Sequence, residues 1–198
     1  VRAKDSAPER AGTEPARGCA GLAPARVTRA REQEDFRMAL VDYFLKIDGI
    51  QGESQDKTHK NEIEIESFSW GANQAGTASH GGGMGGGRVQ MQDFHFVMRV
   101  NKASPKLMLC CANGEHIKNG ILVCRKAGKD QQEYLKVTFT DLLVSSYQTG
   151  GSSGDVVPMD QISLNFTKVE IEYKEQKPDG TLGGAIKAFY DMKQQIHG

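Results

Sequence analysis

Most of this sequence alternates apolar and polar residues one by one. Tyr43, Leu45 and Ile47 alternate with Phe44 and Lys46, and Ile63 and Ile65 with Glu62, Glu64 and Glu66. Leu135, Val137 and Phe139 alternate with Lys136, Thr138 and Thr140, and Ile162, Leu164 and Phe166 with Ser163, Asn165 and Thr167. Successive side chains of a strand point to opposite faces, so a period of two marks strands with one face buried and one wet. Parallel sheets bury both faces, so the pattern favours an antiparallel barrel or sandwich.

Four of these segments change phase partway. Ile63 and Ile65 are odd, but Phe68 and Trp70 are even; Val89 and Met91 give way to Phe94, Phe96 and Met98. Leu135, Val137 and Phe139 give way to Leu142 and Val144, and Ile162, Leu164 and Phe166 to Val169, Ile171 and Tyr173. One extra residue restores a buried face after such a slip. Bulges or sharp bends are therefore predicted near Glu66–Ser67, Gln92–Asp93, Thr140–Asp141 and Thr167–Lys168. Repeated corners in long coiled strands predict a mainly β fold, a small antiparallel barrel. Two separate strands are the alternative for residues 62–75 and 133–149. One short helix, about 104–112, interrupts the strands. Ser104 is expected to cap it and Pro105 to occupy its first position. Leu107, Met108 and Cys111 form its apolar face, and Asn113-Gly114 ends it. Its expected place is an open end or side of the barrel.

Composition divides the chain. Residues 1–37 hold eight alanines, eight basic and six acidic residues, and three of the six prolines. So little apolar surface cannot offset chain entropy, and disorder is expected there. The segment lacks the apolar core of a secretory signal, and its acidic residues fit a transit peptide poorly. It reads as an upstream or expression-derived extension, with Met38 as the expected native start and residues 38–198 as one domain large enough for its own core. Over the whole chain 25 basic residues balance 25 acidic ones, which argues against a general binder of nucleic-acid phosphates. No apolar run reaches the length of a membrane-spanning helix.

Sites of chemistry are scarce. The glycine run 81–87 satisfies a dinucleotide-binding pattern, but such a site needs a helix next and Arg88–Val100 reads as strand. It is expected to be a flexible loop and a contact arm for a neighbouring subunit. Gly150–Gly154 matches a nucleophile elbow with Ser152 at its centre, followed by Asp160 and His197, but strand follows where a helix is required. No metal or cofactor site is expected. All five histidines read as surface residues, and Cys110, Cys111 and Cys124 as small thiols. Phe68 and Trp70 should face the core, which turns Ser67 and Ser69 outward.

Several motifs are distinctive together. They include Phe44-Leu45-Lys46-Ile47-Asp48-Gly49-Ile50, Gly52-Glu53-Ser54, Ser69-Trp70-Gly71, the glycine run and Gln92-Asp93. Further along come Lys102-Ala103-Ser104-Pro105, Arg125-Lys126-Ala127-Gly128, Glu133-Tyr134-Leu135, Thr149-Gly150-Gly151 and Ser163-Leu164-Asn165-Phe166. Through them residues 38–198 resemble the haemolysin-coregulated protein (Hcp) family of bacterial type VI secretion. The resemblance implies a ring-forming, non-enzymatic tube subunit. Hexamers would stack into a tube driven by a contractile sheath, with spike and baseplate components as partners and small effectors carried in the lumen. It implies residence in the bacterial cytoplasm before firing, then secretion without a cleaved signal, and neither nucleic-acid binding nor membrane insertion. Ser67 and Ser69 become candidate lumen or cargo contacts. Gly52, Glu53, Asp56, Lys57, His59, Lys60, Gly82, Gly83, Met84, Gly85 and Gly86 become candidate contacts between subunits or rings. A monomeric adaptor barrel and a serine hydrolase using Ser152 are the alternatives.

Overall fold

The computed structural model describes residues 41–76, 86–126, 131–154, 156–178 and 180–198. Their elements are β1 (Val41–Ile47), β2 (Ile63–Glu64), β3 (Ser67–Ser69), β4 (Ala72–Gly76), β5 (Gly86–Met91), β6 (Phe94–Arg99), α1 (Ser104–Asn113), β7 (His116–Lys126), β8 (Glu133–Gly150), β9 (Met159–Gln176), β10 (Leu182–Asp191) and β11 (Ile196–His197). The expected disorder of residues 1–37 falls outside the described residues.

β8 and β9 form the spine, paired antiparallel from Leu135↔Tyr173 to Gly150↔Met159. β7 lies on the other edge of β8, and β1 on the other edge of β7. β9 shares its second edge between two strands: β6 takes Met159–Leu164 and β10 takes the stretch from Lys168 to Gln176. β4 and β5 form a separate antiparallel pair. The class is the one the alternation predicts, mainly β and antiparallel. The ladder, however, does not close as one barrel. β2 pairs with β1, while β3 pairs with β6. Between them the Ile65 N–H donates to Tyr43 O and the Glu66 N–H to Val97 O. The chain changes partner within two residues, too few for either strand to complete both ladders.

The four phase slips have two origins. At Glu66–Ser67 and Gln92–Asp93 one strand ends and another begins. At Thr140–Asp141 and Thr167–Lys168 the strands continue, but no residue is extra: Thr140↔Lys168 and Leu142↔Phe166 keep one register. Asp141 turns the corner with φ +56°. β7 slips at the same level, burying Ile117 and Gly120 opposite Leu142 and Phe139. Matched kinks in three neighbouring strands cancel, so of the two expected devices the sharp bend is present at Asp141 and a bulge is not. The shift of β8 against β9 falls instead between Val144 and Ser146. A Cβ at Gly120 would lie 2.7 Å from Leu142 Cδ1, so any larger residue at the bend would have to displace that buried side chain.

The core packs Phe94, Phe96, Phe139, Leu122 and Leu164, all essentially without solvent contact. Phe139 sits 4.8 Å from Phe94 and 4.9 Å from Phe166, ring centre to ring centre, and Trp70 meets both Phe139 and Phe166 edge-on. Each such side chain contributes about 1.5–3 kcal/mol by leaving water.

The helix packs on β8. Two details differ from expectation. The capping position is Ala103, and Ser104 lies inside the first turn. Ser104 Oγ instead accepts the Asn101 N–H, while Asn101 Oδ1 accepts the Ala103 N–H. The buried face is Ser104, Leu107 and Cys110, and Met108 is exposed. Gly114 ends the helix as predicted, at φ +64° with its N–H donated to Cys110 O.

Candidate functional site

Ser67 and Ser69 lie outward on β3, as the burial of their neighbours requires. Strand pairing extends them into rows. Ser69, His95, Ser163 and Ser146 are direct cross-strand neighbours over β3, β6, β9 and β8. Ser67, Val97, Gln161 and Gln148 form the adjacent row. Together they line a groove of about 570 Å³. His95 Nδ1 lies 2.6 Å from Ser163 Oγ. At one end Asp93 is tied down, accepting from Ser145 Oγ at 2.5 Å and Asn165 Nδ2 at 2.8 Å. The core lies behind this sheet face: Ile162 and Leu164 flank Ser163 and point inward. The groove thus offers hydroxyls and amides with little charge, suited to hydrogen bonding with a polar partner.

The second candidate region, Gly52–Asn61, behaves differently from expectation. It folds back over the outer face of β1 and β7. Phe44 sits on that face yet is buried, with the His59 ring stacked at 4.4 Å and the Arg125 guanidinium over it at 4.7 Å. His59 is 5% exposed, which corrects its reading as a surface histidine. Its Nδ1 meets Glu62 Oε2 at 2.8 Å, and its Nε2 lies 3.3 Å from Glu133 Oε1. Buried Arg125 joins Asp56 at 2.8 Å and Asp42 at 3.1 Å. Hydrogen bonding to that guanidinium holds the Asp56 carboxyl at a pKa of about 2, assisted by the Thr58 and His59 N–H groups. Gly52 is buried where a Cβ would lie 2.2 Å from Glu62 O. Asp56, His59 and Gly52 are therefore engaged within the subunit. Glu53, Lys57 and Lys60 stay exposed, with Glu53 Oε1 accepting the Lys102 N–H. The signal the sequence reading missed is apolar Phe44 and Val123 on a face that alternation marks as wet.

Gly82, Gly83, Met84 and Gly85 lie outside the described residues. Gly86 opens β5 opposite Gly76, so strand follows the glycine run and the dinucleotide reading fails. Ser152 is exposed in a loop that leads into β9. Asp160 is buried and accepts from Tyr147 Oη, and His197 belongs to β11. Among the described residues no helix follows Ser152 to form an elbow. Cys110 and Cys124 are buried free thiols, with burial pushing Cys124 up to about 12. Among the described residues no cluster of His, Cys, Asp and Glu could hold a metal, and no helix is long and apolar enough to cross a membrane.

Residues 44–173 match the family model described as type VI secretion system effector, Hcp. The chain belongs to the Hcp family. It is 42% identical over 158 residues to Protein hcp1 of Pseudomonas aeruginosa, covering 79% of this chain and 98% of that one. The crystal structure of Hcp1 from Salmonella typhimurium superposes with a TM-score of 0.69 at 42% identity, covering 81% of this chain and all of the other. A solved type six secretion system protein gives 0.76 at 29% identity, covering 79% and 99%. The chain is therefore a tube and effector protein of type VI secretion, a structural secreted protein and not an enzyme.

Proposed function

We propose that the chain forms hexameric rings that stack into the secretion tube, with the groove around Ser67 and Ser69 turned to the lumen as the contact for small effector proteins. The observation that carries this reading is the pair of cross-strand rows, Ser69-His95-Ser163-Ser146 and Ser67-Val97-Gln161-Gln148. A weakly charged surface of hydroxyls and amides can hold polar cargo through many small contacts and still release it. Exposed Glu53, Lys57 and Lys60 serve the ring or stacking contacts, individually weak, with the glycine run as a further arm. Asp56 and His59 support them by fixing the loop. In this reading the tube meets spike, sheath and baseplate components. The chain waits in the bacterial cytoplasm, leaves without a cleaved signal, and engages neither nucleic acid nor a membrane interior. Light scattering of the eluted full chain should give a mass near six subunits, and electron microscopy should show annuli. One single-chain mass over a wide concentration range would refute the ring.

A further inference from the structure

Among the described residues that line the groove over β3, β6, β9 and β8, the ionisable side chains are Asp93, just before β6, and His95 within it. Asp93 is already engaged through both carboxylate oxygens, one accepting from Ser145 Oγ and the other from Asn165 Nδ2. His95 is exposed, and its Nδ1 is taken at 2.6 Å by Ser163 Oγ, which leaves Nε2 as the nitrogen to meet a ligand. The neighbouring strands line the groove without adding charge: β3 brings Ser67 and Ser69, β9 brings Gln161 and Ser163, and β8 brings Ser145, Ser146 and Gln148. Beyond the groove on β6, Arg99 is matched by Glu66 at 2.9 Å. Hydroxyls and carboxamides both donate and accept, so they set no preference for sign. Imidazole is the side chain that changes charge between about pH 5 and 8. The Ser163 contact survives that change, because a hydroxyl can donate to a bare Nδ1 or accept from a protonated one. A proton taken from solvent therefore costs no hydrogen bond and creates a donor-only cation beside a carboxylate whose oxygens are already bonded.

Building on the groove as the cargo contact, we infer that it selects polypeptide segments bearing carboxylates, and that proton uptake by His95 strengthens their hold. The sign follows from the lining. With a neutral imidazole, Asp93 leaves the groove negative, and a second carboxylate is repelled. With an imidazolium the two charges balance, and Nε2–H can donate to the incoming oxygen as a charge-assisted hydrogen bond. Binding of an acidic segment is therefore strong on the acid side of the imidazole range and falls as pH rises through it. A neutral polar segment, which the hydroxyls and amides serve alone, gains nothing from the proton. One exposed ion pair of this kind changes affinity by about two- to fivefold. Such a group lets a groove of hydroxyls and amides grip acidic cargo in one compartment and relax its grip in a less acidic one.

The test uses the full chain and two rhodamine-labelled peptides of equal length, one all aspartate and one all asparagine. Fluorescence anisotropy reads Kd at about pH 5.5 and about pH 7.5, on either side of the imidazole range and at fixed ionic strength. The parent should bind the aspartate peptide about threefold more tightly at the lower pH, with no such change for the asparagine peptide. His95→Gln should stay at the weaker value at both pH values, and His95→Lys, with its fixed charge, at the tighter one. Both variants should give a native circular dichroism spectrum, because the ring is exposed; loss of the fold in both would make the imidazole structural and overturn the assignment. No binding by the parent, equal affinity at the two pH values, or an equal change in His95→Gln would overturn it too, and would leave the groove as a cargo contact standing. Ser69→Tyr separates the two readings. It should block the aspartate peptide, and unchanged binding would place the peptide elsewhere and remove the groove reading as well.

Discussion

Asp56→Ala tests whether the loop Gly52–Asn61 is held from within. Arg125 is 4% exposed, and its carboxylate partners are Asp56, 15% exposed in its side chain, and Asp42, 33% exposed. Breaking a buried pair from one side costs about 3–5 kcal/mol, because a charge is left without compensation. Asp42 remains after the substitution, which places the cost at the lower end, about 3 kcal/mol. The Asp56 pKa gives a second route. A fall from 3.8 to about 2 corresponds to about 2 kcal/mol at neutral pH. Because the folded value lies below the unfolded one, this contribution is full above about pH 4 and fades as pH falls through the folded value near 2. The two routes agree on about 2–3 kcal/mol, or a melting temperature lower by about 5–10 °C for a domain of this size.

Urea unfolding followed by circular dichroism measures the loss. Protein concentration must be fixed, since assembly adds stability by mass action. Asp56→Ala with Arg125→Met completes a double-mutant cycle, and the residues in contact should show a coupling of at least about 1 kcal/mol. Removing both charges leaves only the partly exposed Asp42 without its partner, so the double variant should lose less than the two single losses combined. A loss for Asp56→Ala below about 0.5 kcal/mol, with additive effects in the cycle, would refute the pinned loop.

Other outcomes follow from the same geometry. Gly52→Ala should cost about 3 kcal/mol or more in urea unfolding, because its Cβ meets backbone at 2.2 Å that has no room to retreat. Leu107→Ala should lose about 2–5 kcal/mol from the core, whereas Met108→Ala on the exposed side of the same helix should stay within about 0.5 kcal/mol. Ser69→Tyr should leave ring mass and melting temperature unchanged while changing the set of effectors that co-purify with the rings. Removing residues 1–37 should move the melting temperature by less than about 2 °C, since the buried apolar core among the described residues runs from Phe44 to Val169.

What could be read from the sequence was each strand's own preference, and what could not be read was the agreement between strands. The alternation at Ile162, Leu164 and Phe166 assigns their faces because the period belongs to one segment, and the outward position of Ser67 and Ser69 follows from Phe68 and Trp70 in the same way. A phase slip says only that a strand must bend. Whether it bulges depends on its neighbours, and Leu142, Phe166 and Gly120 slip together, so nothing bulges. The break at Ile65–Glu66 is likewise a property of two partners, Tyr43 and Val97, far apart in sequence. Loop 52–61 looked like a charged rim because its charges can be counted in sequence. The partner of Asp56, Arg125, sits more than sixty residues later.

The same logic explains why β10 was invisible. Gly183-Gly184-Ala185 supply almost no apolar side chain, so the strand pattern there is too weak to read. Pairing with β9 makes it a strand nonetheless, and sets Ile186 beside Tyr173. Tyr173 itself reads as an ordinary inward residue at the end of an alternating run. Alternation records that a face must leave water, without recording whether the covering atoms come from this chain or from another. Val137 and Ile171 on the neighbouring row are covered by the chain's own core. Two residues further along β9 the same face runs past that core, and Tyr173 is left 44% exposed beside Ile186 at 67%.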